Sequence, residues 1–380
     1  MNQNNPAQKT GRPARFYDNR QKYLAFVNTC NEKWKVANRA ATELALCKPV
    51  PPAFRLFDAG MGDGTVLAHL MRAMHRRFPT IPFFIAGKEI SLEDVRLSLE
   101  KLPDRFVEHP ASVMVLTNLN YADAPWLMPS DPARAAEINW QEVSLVGTSS
   151  FEFGEQLRDL DDLVVDGWQV KTSAKTGNPK FVKPTVLVLY RADHQFALSD
   201  ILPQKGATFA EYDLVLAAQP WRASTSAKFK VEKILEPLTR SLRQGGRLLA
   251  VQSYGGDPGL ELVQQIWPDE APFAIGRHEL VSALKAQMGS DAMHYSLDAL
   301  DDDKSLFEYR MHTLPHELAA AIGTSTLYAA WNAAVYVAQI EEERADQVLA
   351  SGDYIEATAK ILKKHGSLWF MDESFVISKL

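Results

Sequence analysis

The stretch Phe54-Arg-Leu-Phe-Asp-Ala-Gly-Met-Gly-Asp-Gly-Thr-Val66 limits this chain's fold more than any other segment. It reads as a short buried strand, a glycine-rich turn and the start of a helix. The glycines fall at Gly60, Gly62 and Gly64, with Asp58 and Ala59 just before them. Without a Cβ, glycine lets the main chain turn sharply and approach a ligand closely. The helix that follows points its N-terminal amides toward whatever is bound. A dinucleotide fingerprint requires Gly-x-Gly-x-x-Gly, and its third glycine position is Thr65 here.

Strand and helix alternate around this turn. Tyr23, Phe26, Val27, Cys30, Trp34, Ala37 and Ala41 recur at helical spacing over 17–47, and Pro49, Pro51 and Pro52 end that pattern. A helix after the glycine turn runs to about Phe78. The apolar stretch 82–90 reads as a second strand, and a helix over 91–102 carries Ser91 as N-cap with Glu93 and Asp94 in its first turn. The stretch 111–117 reads as a third strand. Alternation lapses from Asp123 to about Lys205, where a hairpin is expected with arms 168–172 and 181–190 around Thr176-Gly-Asn-Pro179. It resumes with a strand at Tyr212–Trp221, a helix over 229–242, a strand over 247–253 and a helix over 277–287. A final hairpin is expected from 293–300 and 305–313. This order implies a parallel sheet with helices on both faces.

Composition excludes several classes. The 380 residues are 46% hydrophobic and 23% charged with a net charge of −6, so nucleic acid is not expected as an obligatory partner. Two cysteines, Cys30 and Cys47, make no disulfide framework and read as reduced thiols of a cytoplasmic protein. The apolar run Leu327–Ile340, interrupted by Asn332 and Gln339, is too short to span a bilayer, and the N-terminus has no apolar core. Residues 1–15 read as a polar tail. No metal site is expected: His312 and His316 are separated by Pro315. Nucleophile-elbow and Walker-type motifs are absent.

The glycine spacing and the order of elements resemble the class I S-adenosylmethionine-dependent methyltransferases. The resemblance covers roughly 50–122 and 206–314. It implies a doubly wound, mostly parallel α/β sheet of seven strands with a C-terminal antiparallel hairpin strand. The expected divisions are a tail over 1–15, an N-terminal helix and first half-domain over 16–123, an inserted acceptor-side subdomain over 124–205, the second half over 206–314, and a helical extension over 315–380.

S-adenosylmethionine is the cofactor so implied. Glu89 matches the family's carboxylate at the end of the second strand, which accepts from the ribose hydroxyls; the interval from Gly60 is 89 − 60 = 29 positions. Ile90 matches the apolar residue on the adenine face. Asn118, Leu119 or Asn120 matches the position that reads the adenine amino group. Asp58 and Ala59 orient the glycine turn.

The acceptor is expected beyond the fourth strand, at Gln219, Pro220 and Trp221. That segment resembles a degenerate Asn-Pro-Pro-Tyr motif of amino-group methyltransferases. Tyr254 lies on the same edge, and Asp372 and Glu373 read either as surface charges or as the rim of a pocket for a cation. The implied activity is methyl transfer to a small-molecule or protein acceptor, nitrogen favoured. Alternatives are an aminopropyl transferase-like enzyme on this fold, or a non-catalytic cofactor-binding scaffold that recruits a partner; a nicotinamide dehydrogenase stands further off because of Thr65.

Overall fold

The sheet follows from the apolar runs of the sequence. In the computed structural model, which describes residues 20–172, 179–208, 210–312 and 322–380, twelve strands form: β1 (Phe54–Asp58), β2 (Phe83–Lys88), β3 (Ser112–Thr117), β4 (Asn139–Leu145), β5 (Val170–Thr172), β6 (Pro179–Phe181), β7 (Thr185–Arg191), β8 (Tyr212–Ala218), β9 (Leu242–Ser253), β10 (Tyr295–Asp298), β11 (Leu306–Arg310) and β12 (Trp369–Lys379). The expected tail 1–15, the turn at Thr176–Asn178, and Pro315 with His316 lie outside the described residues.

Two compact units share the chain. The larger takes Glu32–Tyr254, Phe273–Tyr309 and Met371–Leu380. Its main sheet runs β10-β12-β9-β8-β1-β2-β3-β7-β4, with β11 paired to β12. The five strands β3-β2-β1-β8-β9 are parallel throughout. They reproduce the doubly wound order in which the third, second, first, fourth and fifth strands lie side by side. β1 and β8 flank the point where that order reverses.

Alternation along β2 sends Phe84 and Ala86 to one face and Phe83 and Ile85 to the other, each into its own buried cluster. Burying one such phenylalanine or leucine stabilises by about 1.5–3 kcal/mol. Helices Thr65–Arg77 and Leu92–Lys101 cover one face; Ser91 caps the latter, its Oγ accepting from Asp94 N as expected.

Three expectations are corrected. The sheet holds ten strands, not seven, because the segment read as an inserted subdomain contributes β4 and β7 and the C-terminal segment contributes β12. β7 pairs antiparallel with β3, and β4 pairs parallel with β7. All seven residues of β7, Thr-Val-Leu-Val-Leu-Tyr-Arg, are buried, and they shield the exposed edge of β3. Of the expected hairpin only β5 and β6 form one; the rest of its second arm is β7.

The second correction concerns the C-terminus. β10 and β11 do not close a hairpin on each other, since both pair with β12. The antiparallel strand beside β9 is β12, in a segment expected to be helical. Phe375, Val376 and Ile377 bury on both faces there, and the backbone satisfies the open edge of β9. Asp372 and Glu373 are therefore buried sheet residues, 0% and 1% exposed, rather than surface charges.

Third, the long N-terminal pattern splits into Arg20–Thr29 and Glu32–Leu44, and the helix expected over 229–242 contains a π turn at Val231–Leu235.

The smaller unit draws its described residues from Met1–Asn31, Gly255–Pro272 and Arg310–Phe370. It contains helices Arg20–Thr29, Pro258–Ile266, Thr324–Val337, Glu342–Ser351 and Asp353–His365. Trp331 is its buried centre, 5.8 Å from Trp267 and 6.1 Å from Tyr354 between ring centroids. Asn332 is tolerated in the apolar run because its Nδ2 donates to the Lys22 carbonyl at 2.9 Å. No helix of the described residues is long and apolar enough to cross a membrane.

Candidate active site

The chain leaves β1 at Asp58 and reaches the helix at Thr65 through a turn in which Gly62 (φ 55°) and Gly64 (φ 77°) adopt left-handed conformations. A Cβ on Gly64 would lie 2.8 Å from Ser98 Oγ and 3.0 Å from Ser98 Cα, so only glycine lets the helix Leu92–Lys101 approach. That helix braces the turn. Ser98 Oγ donates to the Gly62 carbonyl at 2.9 Å, and Lys101 Nζ to the Asp63 carbonyl at 2.7 Å. Gly87 in β2 belongs to the same construction, since a Cβ there would meet Met61 Sδ at 2.7 Å.

Most of the turn's amides have partners within the protein. Gly60 N donates to Asp58 Oδ1 at 3.2 Å, Gly62 N to Glu89 Oε2 at 2.7 Å, Gly64 N to the Met61 carbonyl at 3.1 Å, and Thr65 N to Asp63 Oδ1 at 3.3 Å. The expected cradle of free amides is thus largely a self-paired turn. Ala59, buried, donates to the Leu216 carbonyl at 2.8 Å. Gly60 stays bare: a Cβ there would touch only the Ala218 carbonyl oxygen, at 3.7 Å, so the wall between β1 and β8 is main chain.

Glu89 follows β2, next to Gly62. Its Oε1 accepts from Ile90 N at 2.6 Å and Ser91 N at 2.8 Å, and its own carbonyl accepts from Trp168 Nε1 at 2.8 Å. A carboxylate offers about four acceptor positions, and three are occupied, leaving one on Oε2. Burial pushes Asp58 up to about 7, with the Glu89 charge adding to the rise and its bond from Gly60 and the Lys33 ammonium opposing it. Burial would raise Asp63 too, but the Thr65 hydroxyl and Lys101 outweigh it and hold that carboxyl below its ordinary value.

Asn118, Leu119 and Asn120 serve the fold. Asn118 Nδ2 donates to the carbonyls of Gly167 at 2.8 Å and Lys183 at 3.1 Å, and its Oδ1 accepts from Thr185 N at 2.9 Å. Its amide fastens the start of β7 to the end of β3. Leu119 is core. Asn120 closes a turn, accepting from Ala122 N at 2.8 Å and donating to Asp123 Oδ2 at 2.7 Å. Both amide protons of Asn118 are thus engaged within the protein, and one of those of Asn120.

On the β8 side, Gln219 has φ 50°, rare for a residue with a side chain. Its Nε2 donates to Ser253 Oγ at 3.1 Å and Asp372 Oδ1 at 3.3 Å. Trp221 is a core residue. It is 7% exposed, its Nε1 donates to Gln252 Oε1 at 2.9 Å, and Lys230 Nζ lies 5.6 Å from its ring centroid. Behind it, Gln252 Nε2 donates to Glu373 Oε1 at 2.7 Å, and Arg277 meets Glu373 Oε2 at 2.9 Å. Tyr254, 41% exposed, is held by its backbone amide on the Met371 carbonyl at 2.8 Å.

Sequence reasoning missed Lys88 and Tyr121. Lys88, the last residue of β2, is 5% exposed; burial lowers its ammonium to about 8 against the pull of Glu89. Its Nζ lies 4.5 Å from the centroid of the Tyr121 ring, and the Tyr121 hydroxyl donates to the Pro220 carbonyl at 2.9 Å. The only local signal was a lysine beside Glu89, and nothing in the sequence ties it to Tyr121. Among the described residues no group of three or more His, Cys, Asp and Glu side chains is arranged to hold a metal ion.

No protein-family model matches the sequence, and no curated protein matches it. Solved structures do match. A geranyl diphosphate methyltransferase in complex with GPP and sinefungin is 14% identical, over 90% of this chain and 78% of that one, with a TM-score of 0.35. A putative sarcosine dimethylglycine methyltransferase from Galdieria sulphuraria is 9% identical over 91% and 84%, with a TM-score of 0.36. The plantazolicin methyltransferase BpumL in complex with SAH is 9% identical over 96% and 91%, with a TM-score of 0.34. These superpositions are loose, and the doubly wound fold rests on the strand order itself.

Proposed function

We propose that this protein is a class I methyltransferase that binds S-adenosylmethionine at the switch point between β1 and β8. One observation carries the reading. The glycine turn closes the first strand of a parallel sheet in doubly wound order, beside a carboxylate that ends the second. Ligands of such sheets lie beyond the carboxyl ends of the strands where the order reverses. The antiparallel β12 beyond β9 also agrees with the family resemblance.

The residues present fit the cofactor in part. Bare main chain at Gly60 allows close approach, and the fourth acceptor position of Glu89 suits a ribose hydroxyl. When bound, S-adenosylmethionine supplies a methyl group already activated by its sulfonium, so the protein's task is alignment.

Gln219 supports an acceptor that carries an N–H or O–H. Both protons of its amide nitrogen point at Ser253 and Asp372, which leaves Oε1 to accept. An amine fits best, because its lone pair attacks while its N–H is held. The substrate is a small molecule or a protein side chain.

Calorimetry tests the cofactor site, which the enzyme and the cofactor-binding scaffold share. S-adenosylmethionine and its demethylated product are expected to bind at micromolar affinity and NAD not at all. Glu89→Gln keeps the size but loses the charge, and is expected to weaken both ligands at least tenfold. A protein that binds none of them is not a methyltransferase, and undiminished affinity in the variant removes Glu89 from the site.

A further inference from the structure

Tyr121 crosses the place where a ligand of the switch point would lie, and we propose that its side chain is the gate of that site. The proposal rests on the reading above and adds to it a rule of access. In the sheet, β1 lies between β2 and β8. Lys88 ends β2 and Pro220 follows β8, so a ring held by both lies at the carboxyl end of β1, within reach of the Glu89 and Asp58 charges. The hydroxyl also senses the Asp58 and Glu89 charges, which raise its already high, burial-shifted pKa further.

The pivot is fixed. Asn120 closes its turn on Ala122 and Asp123, and Asp123 Oδ1 accepts from Ser130 N at 2.9 Å. The backbone at Tyr121 is therefore anchored from both sides, and opening requires rotation of the side chain rather than movement of the loop. Lys88 is the other half of the latch. Its ammonium faces the aromatic ring and feels the opposite charge of Glu89. As the gate for a ligand, the pair makes sense: one hydrogen bond and one cation–π contact are each weak enough for binding to displace.

A closed gate lowers apparent affinity by the fraction of open molecules. Tyr121→Phe removes only the bond to Pro220 and is expected to bind S-adenosylhomocysteine about threefold to tenfold faster. Tyr121→Ala removes the ring as well and is expected to bind about tenfold to thirtyfold tighter. Stopped-flow association and calorimetry read both. A ligand-independent measurement accompanies them: the rate at which an amine-acylating reagent modifies Lys88, followed by peptide mass spectrometry. It is expected to rise at least tenfold in Tyr121→Ala. Unchanged Lys88 reactivity overturns the gate whether or not any ligand binds, and so does weaker binding by Tyr121→Ala, which would make Tyr121 a ligand contact. A rise in Lys88 reactivity with no binding by any variant supports the gate and removes the cofactor reading instead.

Discussion

Acid is expected to loosen the sheet unit at His109, far from the candidate site. The ring is 4% exposed and stacks on Phe83 at 3.6 Å between centroids, just before β3. Its Nε2 lies 3.0 Å from the Ile81 carbonyl, which can only accept, so that nitrogen carries the proton. His109 Nδ1 then holds a lone pair, and His75 Nδ1, 2.9 Å away, must be the donor. Protonating His109 sets N–H against N–H in a buried place. Burial accordingly lowers His109 to about 4, with the Ile81 bond opposing and the His75 and His194 charges adding. In the unfolded chain it titrates near its ordinary 6.5. Between these values the unfolded chain binds more protons, so stability falls as pH falls. The contribution is complete above pH 6.5 and gone below 4. The whole shift corresponds to up to about 3 kcal/mol. At this chain length that is roughly 3–4 °C of melting temperature. Thermal melts at pH 7, 6, 5 and 4 should be compared with those of His109→Gln, which keeps an N–H for Ile81 and has no charge to gain. The wild-type protein is expected to lose about 3 °C more than the variant across that range. Parallel curves would refute the assigned tautomers.

Other outcomes follow from the same geometry. Asn118→Ala strips the Lys183 carbonyl and the Thr185 amide of their partner and leaves the Gly167 carbonyl to the Thr185 hydroxyl; it should cost about 1–3 kcal/mol in denaturant unfolding while leaving ligand affinity nearly unchanged in the folded fraction. Glu373→Ala leaves the buried Arg277 with Asp302 as its one remaining carboxylate and should cost about 1.5–3 kcal/mol by the same measure. Asp58, raised to about 7, favours the folded state most below its unfolded value of 3.8 and loses that advantage as pH rises through 7. Asp58→Asn should therefore unfold at the same denaturant concentration as wild type near pH 3.5 and at an increasingly higher one from pH 4 to pH 8.

Local chemistry was legible in the sequence. The turn at Gly62 and Gly64, the Ser91 cap and the parallel run from β1 to β3 depend on neighbours within a few residues, and periodicity reports those directly. Glu89 ends up beside the glycine turn, with Gly62 N on its Oε2, because strand and helix lengths fix that distance. Its three amide partners were not foreseen, nor were the carbonyls that Asn118 binds and the bond from Trp221 to Gln252. A polar side chain near a strand end looks the same in sequence whether it faces a ligand or a carbonyl that arrives from sixty residues away.

The alternation of apolar strands with amphipathic helices thus determined by itself that this chain builds a doubly wound sheet opening at a glycine turn. Tertiary structure alone decided who completes the sheet and who faces its opening. β12 and β7 join because open edges need backbone partners, and any apolar strand long enough can supply them. Lys88 and Tyr121 meet because β2 and the segment after β3 end on the same side of the sheet. Such pairings are set by the free energy of the assembled whole, to which no local window of sequence has access.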